Sequence, residues 1–455
     1  MLKAKNVDIL HGNLLKNIII YGFPIILIGL IQNLFNAVDI MVLGFVSSDS
    51  AVASVGATST IINLLVNAFF GLSTGVKIVL SRLIGKGDEE KVKKTVSTSM
   101  ISSLCFGIIV GAIGVILAPA FLHITKCPTE CIDGALIYMR IYLAAAPAIM
   151  VYNFGSSVIN ASGDSQSPLY YMMISGSLNV ALNFILCLIL PQKVMAVAIA
   201  TTAAQLAGAI LVVRRLLKMD GICHLDIKNI SWDKNAFGKI LANGLPIALT
   251  NSLYPIANLQ IQTAVNSLGA IAVAGNSSST TISGLISAAT ITPWATATTV
   301  FVGQNLGAKN IERVKKSIFY LITIMLICTI TFGILGMVFS RSLLSMFVSE
   351  AEAIRYGQIR MLYTVLPTFL CGLVSISSNL IQVFGYPTFS SMISIFCVFI
   401  FRIIWMQFVY VKVPNFHVVV QCFTVSWLLE GLAKAMFFMY LYFAKFKKGI
   451  LKKML

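Results

Sequence analysis

Within the apolar stretch NLFNAVDIMVLGF one residue is ionisable, Asp39, and it is the only charge between Lys16 and Asp49. An ionised carboxylate in hydrocarbon costs about 3 kcal/mol on insertion scales, so an acid at this depth is read as functional. It can take up and release a proton, or attract a cation. Gln32 and Asn36 precede it by seven and three residues and share its helical face. Pro24, earlier in the same run, frees backbone groups and can kink the helix. The second constellation is Glu430 and Lys434 in SWLLEGLAKAMFF, spaced four apart in the order that favours an ion pair, with Arg402 as a further partner. Mutual neutralisation is the role expected of that group. Bond-making chemistry finds no support: His11, His123, His224 and His417 fall in loops or near helix ends, and HExxH and GxxxxGK[ST] are missing. Catalysis and ATP-driven transport are therefore not expected. Cys127 and Cys131 in KCPTEC are the one cysteine pair placed to meet, as a disulfide or not, and too few other ligands surround them for a metal.

The elements that must position these residues are membrane helices. The 455 residues are 58% hydrophobic and 11% charged, against about 25% charged in soluble domains. Twelve apolar runs lie near 17–43, 52–80, 95–118, 134–157, 168–190, 194–217, 238–265, 271–301, 317–339, 353–380, 388–411 and 417–443, each about the length that crosses a bilayer core. The first serves as its own uncleaved targeting signal. The net charge of +17 is explained by where it falls: 23 Lys and Arg occupy alternate segments beginning with the N-terminal one, and 5 the others. That asymmetry places both termini in the cytoplasm of a cell membrane and the surplus charge against anionic headgroups. Nucleic acid is not an expected partner.

The chain is also written twice. GKGDEEKVKK from Gly85 and GAKNIERVKK from Gly307 agree at five of ten positions with an offset of 222, which also carries Gly22 and Pro24 onto Gly244 and Pro246. Arg140 and Arg360 each stand seven residues before a proline, which argues for a shared architectural role such as capping helix ends near the outer face. The expected fold is an all-α polytopic membrane protein, twelve helices in two pseudo-symmetric six-helix lobes around a central cavity. The lobes are assigned to 1–220 and 238–455, joined by a cytoplasmic connector over 221–237.

With the repeat and loops in view, the chain resembles the multidrug and toxic compound extrusion (MATE) family. SRLIGKGDEEKVKK, INASGDSQSP and VGQNLGAKNIERVKK look like that family's loops after the second, fourth and eighth helices, and Pro24 and Asp39 match a proline and an aspartate of its first helix. The resemblance implies export of organic cations against an inward flow of H⁺ or Na⁺. It carries the family's amino-terminal site onto Asp39, Asn179, Asn183 and Thr201. The chain departs from one branch in having Asn183 where proton-coupled bacterial members usually have a second aspartate. It departs from others in having Tyr254 in the seventh helix and no acid in the tenth.

Asn179 and Asn183, one turn apart, can supply oxygens to Na⁺ or hydrogen bonds to Asp39. One titratable group suffices for proton coupling, so H⁺ is favoured over Na⁺. Gln32, Asn36, Asn153, Tyr254 and Trp294, the last following Pro293, are the candidates to line the cavity, and Pro24 and Pro246 the kinks. The expected protein is a monomeric secondary-active multidrug antiporter for lipophilic organic cations, with no cofactor beyond the coupling ion. The alternative is a flippase for a lipid-linked saccharide, whose phosphates would call for Arg and Lys facing the cavity.

Overall fold

The computed structural model describes residues 7–46, 49–125 and 127–443, with the side chains of 36–53 and 57 outside the description. Among the described residues every regular element is a helix. The first half runs α1 Leu14–Val46, α2 Asp49–Lys86, α3 Glu89–Ile124, α4 Ile132–Ala144, α5 Ala146–Ala161, α6 Gln166–Ile189 and α7 Lys193–Lys218. The second runs α8 Lys234–Asn266, α9 Ala270–Thr290, α10 Thr292–Gly307, α11 Ile311–Val338, α12 Ser340–Ser345, α13 Ala351–Thr364, α14 Thr368–Val383, α15 Pro387–Ser394, α16 Phe401–Ile404 and α17 Phe416–Leu441. Wide π-type turns over Ile395–Ile400 and Trp405–Tyr410 flank α16, so Arg402 sits on a short α segment between two widened ones.

Nine of these spans are long and apolar enough to cross a membrane singly, and two bent pairs, Thr129–Ala144 with Ala146–Ala161 and Ala351–Thr364 with Thr368–Val383, raise the number to eleven. The predicted run 238–265 lies in α8, where Asn243, Asn251, Asn258, Gln260 and Gln262 keep it out of that group. The count of twelve is thus read from the sequence pattern, and nine to eleven from length and apolarity. Large apolar side chains face outward, Ile116 and Leu188 among them at 73% and 79% exposure. Patches of that kind would aggregate in water and are at home in lipid.

Two compact units divide the chain. One comprises Leu30–Ala248 together with Val7, the other Asp8–Gly29 and the chain from Leu249 onward. The division falls inside α1 and inside α8, a few residues after Pro24 and Pro246, where each proline deprives the carbonyl four residues earlier of its donor. In the first unit Gly71 and Gly75 on α2 face Gly244 and Ala248 on α8. A Cβ on Gly75 would stand 2.6 Å from the Gly244 nitrogen, so small residues let the two backbones touch. The core of this unit joins Val92 and Val96 of α3, Ile149 and Phe154 of α5, and Val212 and Leu216 of α7. In the second unit Ile261 and Val265 of α8 pack with Val419, Val420 and Phe423 of α17.

The internal repeat reaches down to single torsions and caps. Gly87 has φ +69°, and its counterpart 222 residues on, Lys309, has φ +59°, a conformation that favours glycine. Asp88 caps α3 by accepting from the Lys91 N–H, and Asn310 caps α11 by accepting from the Arg313 N–H. After Gly163 (φ +95°) Asp164 is fully buried, held by Ser167 Oγ at 2.6 Å and by Arg215 Nη2 at 2.8 Å. After Gly385 (φ +97°) the same offset puts Tyr386 edge-on to Phe437, with ring centres 5.9 Å apart. One half closes this corner with an ion pair, the other with two aromatic rings.

Candidate functional site

In the first unit α6 presents Asn179 and Asn183 one turn apart toward α7. Asn183 Nδ2 donates to Asn179 Oδ1 at 3.2 Å, and Asn179 Nδ2 donates to Thr201 Oγ1 at 3.3 Å. Both asparagines are buried, at 6% and 0% exposure, as amides must be paired to be. The helix carrying Asp39 and Asn36 is described, but their side chains lie outside the described residues. Gln32 is exposed, and Asn153 spends an amide N–H on the Ile149 carbonyl of its own helix at 2.8 Å. Lys77, a lone cation in GLSTGVKIVL that sequence reasoning passed over, is 5% exposed with its ammonium 5.8 Å from the Phe70 ring centre.

The second unit is organised by a polar stripe on α8. Asn251, Tyr254, Asn258 and Gln262 follow helical spacing and so share one face. Tyr254 OH donates to Glu430 Oε1 at 3.4 Å, and Asn258 Oδ1 accepts from Arg402 Nη1 at 2.9 Å. Gln262 Oε1 accepts from Asn276 Nδ2 at 3.2 Å, and Asn276 Oδ1 in turn accepts from Arg360 Nη1. Tyr254, Asn258 and Gln262 thereby each reach one buried charge, directly or through a single residue.

Those charges meet on α17. Glu430 and Lys434, each 1% exposed, pair at 2.6 Å as the spacing predicts. Lys434 fills its other two donor positions with Ser378 Oγ at 2.5 Å and Ser394 Oγ at 2.7 Å, and Ser394 Oγ also donates to Glu430 at 2.5 Å. The structure directs Arg402 elsewhere than to Glu430: Nε and Nη2 go to Ser426 Oγ at 3.2 and 3.1 Å. Its guanidinium carbon stands 4.5 Å from the Phe423 ring centre, and that of Arg360 stands 4.9 Å from the same ring. The repeat does not give Arg140 and Arg360 one role. Arg140 is exposed, whereas Arg360 is drawn inside by Phe423 and Asn276.

Among the described residues neither Arg360 nor Arg402 forms an ion pair, and both are at least nine-tenths buried, at 7% and 4% exposure. Two like charges that share one ring in this way are at most about 9 Å apart and repel by at least about 2 kcal/mol at an effective dielectric of about 20. Neutral amides, a hydroxyl and an aromatic face offset that only in part. Trp294 is 4% exposed and packs on Gly22, where a Cβ would lie 2.6 Å from its ring. Phe423, Asn258 and Asn276 were not singled out from the sequence. The signal available was the α8 stripe and two single arginines in apolar runs.

Comparison with known proteins agrees with this architecture. The MatE family model matches residues 24–185 and 246–406, once in each half. The chain is 24% identical over 390 residues to "Probable multidrug resistance protein YoeA" of Bacillus subtilis, covering 84% of each chain. It is 22% identical over 383 residues to the "FAD transporter" of Shewanella oneidensis, covering 80% of this chain and 83% of that one. A crystal structure of MATE in complex with MaL6 superimposes with a TM-score of 0.88 at 21% identity, over 99% of both chains. With both halves matched over more than two thirds of its length, the chain belongs to the MATE family of multidrug efflux transporters.

Proposed function

We propose that this chain is a secondary-active exporter of lipophilic organic cations, exchanging them for inward-moving H⁺, with Na⁺ as the alternative coupling ion. Asp39 is the coupling carboxylate, and Asn179, Asn183 and Thr201 are its polar neighbours. The observation that carries the reading is the amide and hydroxyl chain from Asn183 through Asn179 to Thr201, buried in the unit that also contains α1 from Leu30 onward. A protonation site in an apolar bundle needs neutral groups that can donate to it or accept from it as its charge changes, and this chain is of that kind. Both termini lie in the cytoplasm, where the positive-inside asymmetry puts them. A second reading is an organic anion as cargo, including a lipid-linked saccharide phosphate. Buried Arg360 and Arg402, which form no ion pair among the described residues, favour it, and a relative that is an FAD transporter is consistent with it.

The test uses purified protein in liposomes. An imposed pH gradient should drive native protein to concentrate a fluorescent cation, while Asp39→Asn binds the dye without concentrating it. Transport that follows a Na⁺ gradient at fixed pH would transfer the coupling role to Na⁺. Undiminished transport by Asp39→Asn would remove Asp39 from the mechanism.

A further inference from the structure

From the arginine pair of the second unit we infer that Arg402 and Arg360, flanking Phe423 behind the Asn258–Gln262 face of α8, form a binding site for the carboxylate or phosphate group of an organic solute. Three observations converge on it. Both guanidiniums are buried and have only neutral partners among the described residues. Arg360 Nε is buried and has no acceptor among the described residues, so the cluster holds donor capacity that nothing fills. The way in is marked: Asn258 is exposed, and its amide oxygen already occupies the place on Arg402 Nη1 that an anionic oxygen would take.

Binding is then an exchange of acceptors. The solute oxyanion replaces the Asn258 oxygen on Arg402 and accepts the fork of N–H groups that a guanidinium offers to a planar or tetrahedral oxyanion. Asn276, released or retained by Arg360, adjusts on the same face. A charged acceptor compensates the two positive charges where a neutral amide does not. The π-type turns on either side of α16 give Arg402 the slack to move, a placement such turns often have at functional sites. Glu430 does not compete, because Lys434, Ser394 and Tyr254 already engage it.

The inference goes beyond the exporter reading, since binding here needs neither Asp39 nor an ion gradient. Either can fail while the other stands. The experiment is equilibrium binding of fluorescein, a dianionic dye, to the detergent-purified full chain by fluorescence polarisation, with the cation rhodamine 6G in parallel. Arg402→Gln should weaken fluorescein at least tenfold and leave rhodamine within twofold. Asn258→Asp covers the case in which Arg402→Gln fails to fold, because it supplies Arg402 with an internal carboxylate. It should raise the melting temperature and also weaken fluorescein at least tenfold. Displacement by acetate assigns the site to carboxylates, and displacement by inorganic phosphate assigns it to phosphates. Equal fluorescein affinity in native protein and Asn258→Asp would overturn the proposal, as would displacement by chloride alone.

Discussion

Replacing Glu430 by Gln removes one charge from a pair that is 1% exposed on both sides, and little else. The amide keeps an oxygen for Ser394 and Tyr254, so those hydrogen bonds survive in outline. What is lost is the negative charge that attracts Lys434, whose ammonium then stays buried with only neutral acceptors. At an effective dielectric of about 20 the attraction is about 4 kcal/mol for charges 4 Å apart. Removal of one member of a buried pair typically costs about 3–5 kcal/mol. The expected destabilisation is therefore about 3–4 kcal/mol. Adding Lys434→Met should restore most of it, leaving the double variant within about 1.5 kcal/mol of native, because no buried charge is then stranded. Reversible denaturant unfolding in mixed micelles of the native protein, both single variants and the double closes the cycle. Loss of less than about 1 kcal/mol for Glu430→Gln, or single effects that simply add, would refute the pairing argument. Transport should track the amount of folded protein in all four. A fully folded Glu430→Gln protein without transport would give Glu430 a part in the export step.

The Asp164–Arg215 corner obeys the same logic at lower cost, because the Arg215 side chain is 23% exposed and partly screened. Asp164→Asn should lose about 2–3 kcal/mol, and a double-mutant cycle with Arg215→Gln should show coupling above about 1 kcal/mol, both by chemical unfolding. At the cap of α3, Asp88 titrates below the usual carboxylate range because the Lys91 ammonium and backbone N–H both bond to it. The stabilisation from its charge is present above about pH 4, the ordinary carboxylate pKa, and fades as pH falls through the lower folded value. Asp88→Asn keeps a capping oxygen, so its melting curve should lie below native at pH 7 and converge with it in acid. A gap that widens on acidification would show the sign to be wrong.

The helical architecture is legible because hydrocarbon permits few alternatives. Long apolar runs have to be helices, and the repeated GKGDEEKVKK and GAKNIERVKK segments mark equivalent corners before any coordinate is known. The Glu430–Lys434 contact and the Asn179–Asn183 contact are legible for the same reason, since four-residue spacing fixes neighbours on a helix. The pairing of Arg402 with Asn258 spans 144 residues and that of Arg360 with Asn276 spans 84, and spacing carries no information at that range. The repeat misleads at Arg360 because similar sequence fixes the backbone path and not the neighbours. Arg140 and Arg360 occupy matched places, but a matched partner for Asn276 and Phe423 would also be needed to hold Arg140 inside. Asp164 was overlooked for a plainer reason: it lies in the turn between α5 and α6, where a charge is ordinarily assumed to reach water, and Lys77 falls close to the end of the predicted run 52–80, although α2 continues to Lys86.

Phe423, Ser426, Glu430 and Lys434 all lie on α17, the last helix described. A ribosome delivers helices in chain order, so α13 and α16 enter the membrane with Arg360 and Arg402 before the side chains that cover them exist. Until α17 arrives, the second half of the protein is a nascent chain carrying exposed intramembrane cations. Its arrival supplies the aromatic face of Phe423 and the hydroxyl of Ser426 in one step. A chain ending early, by a premature stop codon or a protease cut ahead of Phe416, would keep most of its helices and still present the signature that membrane quality control removes.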